Sequence, residues 1–171
     1  MRVSPNGEAL LVYNRGMKKK LDTLKKIAEL FKSHHISYMV GGSLMLYLRG
    51  YTENFNDIDI LIDEKDYDQA YGLIEKIGQI KPTPLNTQFI TKKYQTFDLD
   101  GTLLDLMAEF GMIDNHGKTH SFLFDLMLKP DPIKVDKVAI AVAQVSDWYL
   151  IYSLLGRQDK IRLIQKKKQA I

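Results

Sequence analysis

The chain has 171 residues, 45% of them hydrophobic and 26% charged, with a formal net charge of +3. This is the composition of one globular domain able to bury its own core, and it excludes a disordered chain; no apolar run approaches the roughly 20 residues of a membrane span. The absence of cysteine excludes disulfides and thiolate-ligated zinc, and Met1–Gly16 lacks the basic-then-apolar layout of a secretory signal, so a cytoplasmic protein is expected.

The charge is unevenly spread. Residues 1–50 hold nine Lys/Arg against three Asp/Glu, residues 51–75 hold eight acidic residues and one lysine, and residues 157–171 are basic again. Most of these lysines read as solvated helix faces, but an acidic patch between basic flanks also suits a metal bound to polyphosphate.

In chain order, Pro5, Asn6-Gly7 and Gly16 mark an N-terminal arm over 1–16, with one short strand at Leu10–Tyr13. Leu21, Leu24, Ile27, Ala28 and Phe31 follow helical spacing within Met17–His34, opposite a face filled with lysines. His34 and His35 sit where this helix ends, a place that favours contact with its terminal carbonyls. Ile36–Val40 is a short apolar strand entering Gly41-Gly42-Ser43, and Leu44–Leu48 is apolar all round, as a short buried helix would be. After the polar loop Tyr51–Asn56, carboxylates and apolar residues alternate through Asp57-Ile58-Asp59-Ile60-Leu61-Ile62, which predicts a strand. Glu64–Ile77 is an amphipathic helix stopped by Gly78, and Pro82 and Pro84 mark a loop. Gln88–Glu109 reads as two strands joined at Asp100-Gly101, a favoured hairpin dipeptide. His116–Leu128 and Val135–Val145 are further strand candidates. Ser146-Asp147 is placed to cap a helix starting at Trp148, and Arg157 opens a basic helical tail. With no repeat or linker, residues 1–171 are expected to form one unit: an arm (1–16), a core (17–145) and C-terminal helices (146–171).

Three features of this layout carry chemistry. Residues two apart on a strand project from the same face, so Asp57 and Asp59 present adjacent carboxylates while Ile58 and Ile60 point the other way. Two like charges side by side call for a cation, and an all-oxygen donor set suits a hard divalent ion such as Mg2+. Thirteen residues separate Ser43 from Asp57, and Gly41-Gly42-Ser43 opens a helix, where glycines allow close approach of a phosphate and Ser43 adds a hydroxyl donor.

Gly-Gly-Ser, a short spacer and Asp-x-Asp on a strand together resemble the nucleotidyltransferase superfamily of the DNA polymerase beta type. The likeness spans about residues 17–110, and Ser146–Arg157 is similar to the helix that follows the core in small bacterial members. The family includes polymerases and aminoglycoside and lincosamide nucleotidyltransferases. The resemblance implies an α+β nucleotidyltransferase fold, a mixed β-sheet with helices mainly on one face plus C-terminal helices. It implies a metal-dependent reaction that moves a nucleoside monophosphate from an NTP, ATP above all, to a hydroxyl acceptor (small molecule, protein or RNA) with release of pyrophosphate. Asp57 and Asp59 would bind a pair of Mg2+ ions, while Gly41, Gly42 and Ser43 would hold phosphate. The family also implies a third carboxylate on a neighbouring strand. Asp105, set among Leu103, Leu104, Leu106 and Met107, fits it, as ligand or base, with Glu109 the alternative further along the same face. Many members carry a basic residue just before the first aspartate. Here that stretch is Glu53–Asn56, which leaves Arg49, Lys92 and Lys93 as candidate triphosphate ligands.

Two other readings compete. A non-catalytic member of the same fold would act as a binding or toxin–antitoxin protein, and a missing third carboxylate would favour it. Separately, Phe97–Asp105 matches the first motif of haloacid dehalogenase-type phosphatases, which would make Asp98 the nucleophile and Asp100 the acid/base. The polar stretch Thr91–Thr96 is a poor parallel strand for that fold, and a hairpin at Asp100-Gly101 explains the same letters. Gly117-Lys118-Thr119 lacks the upstream glycine spacing of a P-loop. His116 and His120 read as a solvated loop without acidic partners, and Trp148, Tyr149 and Tyr152 as core packing. The basic tail through Lys160, Arg162 and Lys166–Lys168 reads as a soluble helix end, with nucleic-acid contact the alternative.

Overall fold

A computed structural model describes residues 15–83 and 87–168, so the strand expected at Leu10–Tyr13 and the loop position Pro84 lie outside the described residues. Helix α1 (Arg15–Ser33) buries the stripe Leu21, Leu24, Ile27, Ala28 and Phe31, as its spacing requires. It ends where His35 takes a left-handed backbone (φ 57°) and the His34 ring meets the carbonyl of Leu30 at 2.9 Å. Strand β1 (Tyr38–Val40) follows, and then α2 (Gly42–Leu48), in which every residue except Ser43 is buried.

Strand β2 (Ile58–Ile62) leads through a 3-10 turn at Glu64–Asp66 into α3 (Tyr67–Glu75). An edge strand not anticipated from the sequence, β3 (Gln79–Lys81), comes next. Its residues are largely exposed and carry no clean alternation, which hides it from pattern reading. Strands β4 (Lys93–Leu99) and β5 (Thr102–Ala108) form the expected hairpin, with Asp100 and Gly101 both at positive φ (54° and 83°) as a tight two-residue turn demands.

Glu109 then takes a left-handed backbone (φ 50°) and breaks the strand. The chain leaves the main sheet there and forms a separate ribbon of β6 (Phe110–Ile113) and β7 (Thr119–Phe122). The expected strand over His116–Leu128 is therefore only β7, followed by a 3-10 turn at Phe124–Leu126. Strands β8 (Asp131–Val135) and β9 (Val138–Val142) pair through a turn at Asp136–Lys137, where a strand over Val135–Val145 was expected. Helix α4 (Val145–Leu154) starts earlier than expected. Gln144 precedes it without a side-chain cap, and Asp147 instead accepts a hydrogen bond from the Leu128 N–H at 3.1 Å. Helix α5 (Gln158–Lys168) is the basic tail.

The main sheet has seven strands in the order β3-β4-β5-β2-β1-β9-β8. The β2–β5 and β1–β9 pairs are parallel and the other pairs antiparallel, so the sheet is mixed. Register sorts its centre into two faces. Phe97, Leu104 and Ile58 lie in one cross-strand row, fully buried, with Phe97 edge-on to Tyr71 of α3 at 5.3 Å. Helix α1 packs on β9, β5 and α3, so α1 and α3 cover this face together. One residue further along each strand, Thr96, Asp105 and Asp59 form the adjacent row and project from the opposite face.

Candidate active site

The row Thr96–Asp105–Asp59 is continued by the glycine turn: Gly41 N–H donates to the Asp59 carbonyl at 3.0 Å, which sets the β1–α2 junction against β2. Asp57 stands one residue before the first residue of β2, on the same side as Asp59. Asp57, Asp59 and Asp105 meet there, each offering an oxygen within 4.8 Å of the others. No lysine or arginine forms an ion pair with any of the three among the described residues. Burial, with the charges of Asp57 and Asp105 added, holds the Asp59 carboxyl well above the usual carboxylate range. Asp57 is also raised, by burial and then by Asp105, against the opposing pull of its own backbone N–H and of Lys20 and Lys160. The donor set is three carboxylates without sulfur or imidazole, the chemistry of a hard divalent ion, and an uncompensated acidic trio fits such an ion.

The two glycines are required for different reasons. At Gly42 φ is +59°, and a Cβ would lie 1.7 Å from Oδ2 of Asp59. Any other residue would therefore meet both a strained backbone and the carboxylate itself. At Gly41 a Cβ would lie 2.0 Å from the indole of Trp148, so this glycine is what lets α4 dock on the turn. Gly42 and Ser43 line the cavity that the aspartates face, whereas Gly41 lies behind it, under Trp148.

That cavity has a volume of about 520 Å³. Besides the trio, Gly42 and Ser43, it is lined by Asn56, by Phe89, Tyr94, Phe110, Trp148 and Tyr152, and by Arg157, Asp159 and Lys160 at the start of α5. Trp148 and Tyr152 are buried as core residues, as expected, and also form part of the cavity wall. Arg157 and Lys160, which the sequence placed in a basic tail read as a soluble helix end with nucleic-acid contact the alternative, are cations that the fold brings to this cavity. Their one advance signal was that the tail is basic at all.

The cations proposed from sequence are committed elsewhere. Arg49 donates to the carbonyls of Ala143 (3.0 Å) and Val142 (3.1 Å) and reaches Asp131 at 3.4 Å, tying α2 to the β8–β9 hairpin. Lys92 pairs with Glu109 at 2.9 Å, and Lys93 with Asp68 at 3.5 Å. None of the three lines the cavity. Glu109, the alternative third carboxylate, sits at the strand break bound to Lys92, outside the trio.

The phosphatase motif dissolves into the β4–β5 hairpin. Asp98 accepts the Gly101 N–H at 2.5 Å and pairs with Lys81 at 3.3 Å, Asp100 pairs with Lys19 at 3.1 Å, and both lie away from the cavity. His120 does have an acidic partner, contrary to the sequence reading: its Nε2 lies 2.7 Å from Asp114 Oδ2, and that contact stabilises the turn between β6 and β7.

No family model matches the sequence, and no curated protein matches it either. Solved structures do. A candidate nucleotidyltransferase from Thermotoga maritima aligns over 90% of this chain and 95% of its own, at 20% identity and a TM-score of 0.68. The lincosamide antibiotic adenylyltransferase LnuA, solved with lincomycin bound, aligns over 86% and 96% at 15% identity and a TM-score of 0.58. ANT(2'')-Ia, solved with adenylyl-2''-tobramycin, aligns over 85% and 87% at 11% identity and a TM-score of 0.56. At these identities the likeness is one of fold: the chain has the mixed α+β nucleotidyltransferase fold, and aminoglycoside and lincosamide nucleotidyltransferases are among its structural neighbours.

Proposed function

We propose that this chain is a divalent-cation-dependent nucleotidyltransferase that moves a nucleoside monophosphate, AMP from ATP in the first instance, to a hydroxyl acceptor and releases pyrophosphate. The observation that carries the reading is the meeting of Asp57, Asp59 and Asp105 opposite Gly42 and Ser43 in one cavity. Asp57, Asp59 and Asp105 would hold Mg2+ ions, which supply Lewis-acid stabilisation of the charge that develops on the transferring phosphoryl group. Gly42 and Ser43 border the phosphate position with a backbone that no Cβ crowds and a hydroxyl donor. Arg157 and Lys160 supply the positive charge at the cavity that the loop before Asp57 lacks.

In the transfer, the acceptor oxygen bonds to the α-phosphorus as the bond from that phosphorus to the bridging oxygen breaks, and pyrophosphate departs with that oxygen. The hydroxyl proton passes to Asp105, the carboxylate on the strand beside the Asp57–Asp59 pair. The acceptor is a hydroxyl compound. The fold neighbours that carry tobramycin and lincomycin support a small molecule as the first class to test.

The alternative is a non-catalytic binding or toxin–antitoxin protein of the same fold, which a missing third carboxylate would have favoured. Asp105 stands with the other two, so geometry favours catalysis. Among the described residues no helix is long and apolar enough to cross a membrane.

Pyrophosphate release tests the reading, with each of the four ribonucleoside triphosphates, Mg2+ and a panel of hydroxyl-bearing small molecules. Turnover with ATP is expected, abolished in Asp59→Asn and retained in Asp98→Asn. If Asp98→Asn instead abolished activity that Asp59→Asn preserved, the assignment would be wrong.

A further inference from the structure

Asp105 differs from the other two carboxylates in being held by side chains. Its neighbour in register on β4 is Thr96, directly opposite, so the two side chains stand together on the cavity face. The Thr96 hydroxyl donates to Asp105 Oδ1 at 2.6 Å, the length of a charge-assisted bond. Thr96 is 7% exposed, so water does not compete for that hydroxyl. Tyr94, two residues earlier on the same face, places its phenol oxygen 3.3 Å from the Thr96 oxygen and itself lines the cavity. Threonine has one hydroxyl hydrogen, and the shorter contact takes it. The Tyr94 hydroxyl stands beside both Thr96 and Asp105, so the three side chains form one hydrogen-bonded group on the cavity face. Asp59 has no comparable side-chain partner among the described residues.

We propose that Thr96, backed by Tyr94, is the positioning residue that fixes the Asp105 carboxylate for divalent-cation binding, an inference that rests on the metal-site reading above. Partners that orient a ligating carboxylate characteristically change metal affinity by about 10–100-fold when removed. A free carboxylate rotates about its Cβ–Cγ bond, whereas one gripped at Oδ1 presents a single orientation beside Asp57 and Asp59.

The test uses the full chain and Mn2+ alone as probe, with the dissociation constant read by calorimetry and thermal stability read in EDTA. Thr96→Val, which keeps the shape and removes the donor, is expected to weaken Mn2+ binding by about 10-fold or more. Its melting temperature in EDTA should stay near that of the wild type. Thr96→Ser should restore affinity, a rescue that a purely packing role would not give, and Tyr94→Phe should lose a smaller part. If Thr96→Val does not fold, the Ser and Phe variants carry the comparison: near-native affinity in Ser with a loss in Phe supports the positioning of Asp105 by this group, and no loss in Phe overturns it. Wild-type Mn2+ binding with Thr96→Val unchanged overturns the positioning role alone. A wild type that does not bind Mn2+ overturns the metal reading, and this inference with it.

Discussion

Asp59→Asn should make the metal-free protein more stable while destroying its response to Mg2+. Oxygens of Asp57, Asp59 and Asp105 lie within 4.8 Å of one another. At that spacing, and at an effective dielectric constant of about 20, two full charges repel by ~3.5 kcal/mol. Asp59 has two such neighbours, but it evades part of the cost by retaining a proton, which is what its raised carboxyl range means. All three side chains also keep some contact with solvent, which screens the repulsion further, so the net gain from the amide is ~1–2 kcal/mol. For a chain of this size that is a rise of roughly 2–8 °C in melting temperature in EDTA.

The pH dependence follows from the sign of the shift. Above about pH 4 the unfolded Asp59 has lost its proton while the folded one keeps it, so metal-free wild type loses stability as pH rises through the elevated folded range. The advantage of the Asn variant should be absent below about pH 4, grow above it and then level off. Saturating Mg2+ at about 100 times its dissociation constant adds ~2.7 kcal/mol to the wild type, and little to the variant. The order of the two melting temperatures should therefore reverse between EDTA and Mg2+, as read by differential scanning calorimetry. An Asn variant less stable than wild type in EDTA, or one that gains as much from Mg2+, would refute the reasoning.

Gly42→Ala should cost ~2–4 kcal/mol, combining a left-handed backbone with an overlap on the Asp59 carboxylate, and should remove Mg2+-dependent stabilisation by ATP; an unchanged melting temperature would contradict the packing. Lys160→Gln should weaken Mg-ATP binding by about 10-fold, the loss of one charge-assisted contact, and leave Mn2+ binding alone. Trp148 is the only tryptophan and lines the cavity, so its emission reports the titration directly. Hydrogen bonds from His120 and from the Lys118 and His116 N–H groups pull the Asp114 carboxyl down to about 2. That contribution to stability is complete above about pH 4 and is lost as pH falls through about 2, so Asp114→Asn should melt lower than wild type at pH 6, by a gap that narrows steadily as pH falls from 4 towards 2. A gap as wide at pH 2 as at pH 6 would assign the effect to something other than that charge.

How much of this the sequence showed depends on the range of the interaction that fixes each feature. The α1 stripe, the β2 alternation and the Asp100-Gly101 turn are local, and their letters suffice. Glu109 is different. A glutamate at φ 50° carries no signature, so the departure of the chain into the β6–β7 ribbon was invisible. The 3-residue edge strand β3 was missed because its side chains face mostly solvent. At the site, Asp57 and Asp59 could be named because they alternate with Ile58 and Ile60, whereas Asp105, set among leucines, was singled out because the family resemblance calls for a third carboxylate on a neighbouring strand. Thr96 could have been found as well: counting outward from the two-residue turn pairs it with Asp105. Arg157 and Lys160 could not, since their place at the cavity depends on how α4 docks through Trp148 on Gly41, a contact between positions over a hundred residues apart.

The same register also explains how the fold tolerates an acidic trio at its centre. On β4, β5 and β2 the row Phe97–Leu104–Ile58 is fully buried against the α3 side, and the next row, Thr96–Asp105–Asp59, faces the cavity. Side chains alternate with a period of two, so a slip by one residue would expose the first row and bury two carboxylates beneath α1 and α3. Each full burial of a Leu, Ile or Phe is worth ~1.5–3 kcal/mol, and an unpaired buried carboxylate costs several. The two faces thus penalise the same slip independently. Gly42 adds a third constraint, since its turn accepts Asp59 only where a Cβ is missing. The apolar face supplies the stability against which the repulsion among the aspartates is set, and it does so from the very residues that alternate with them.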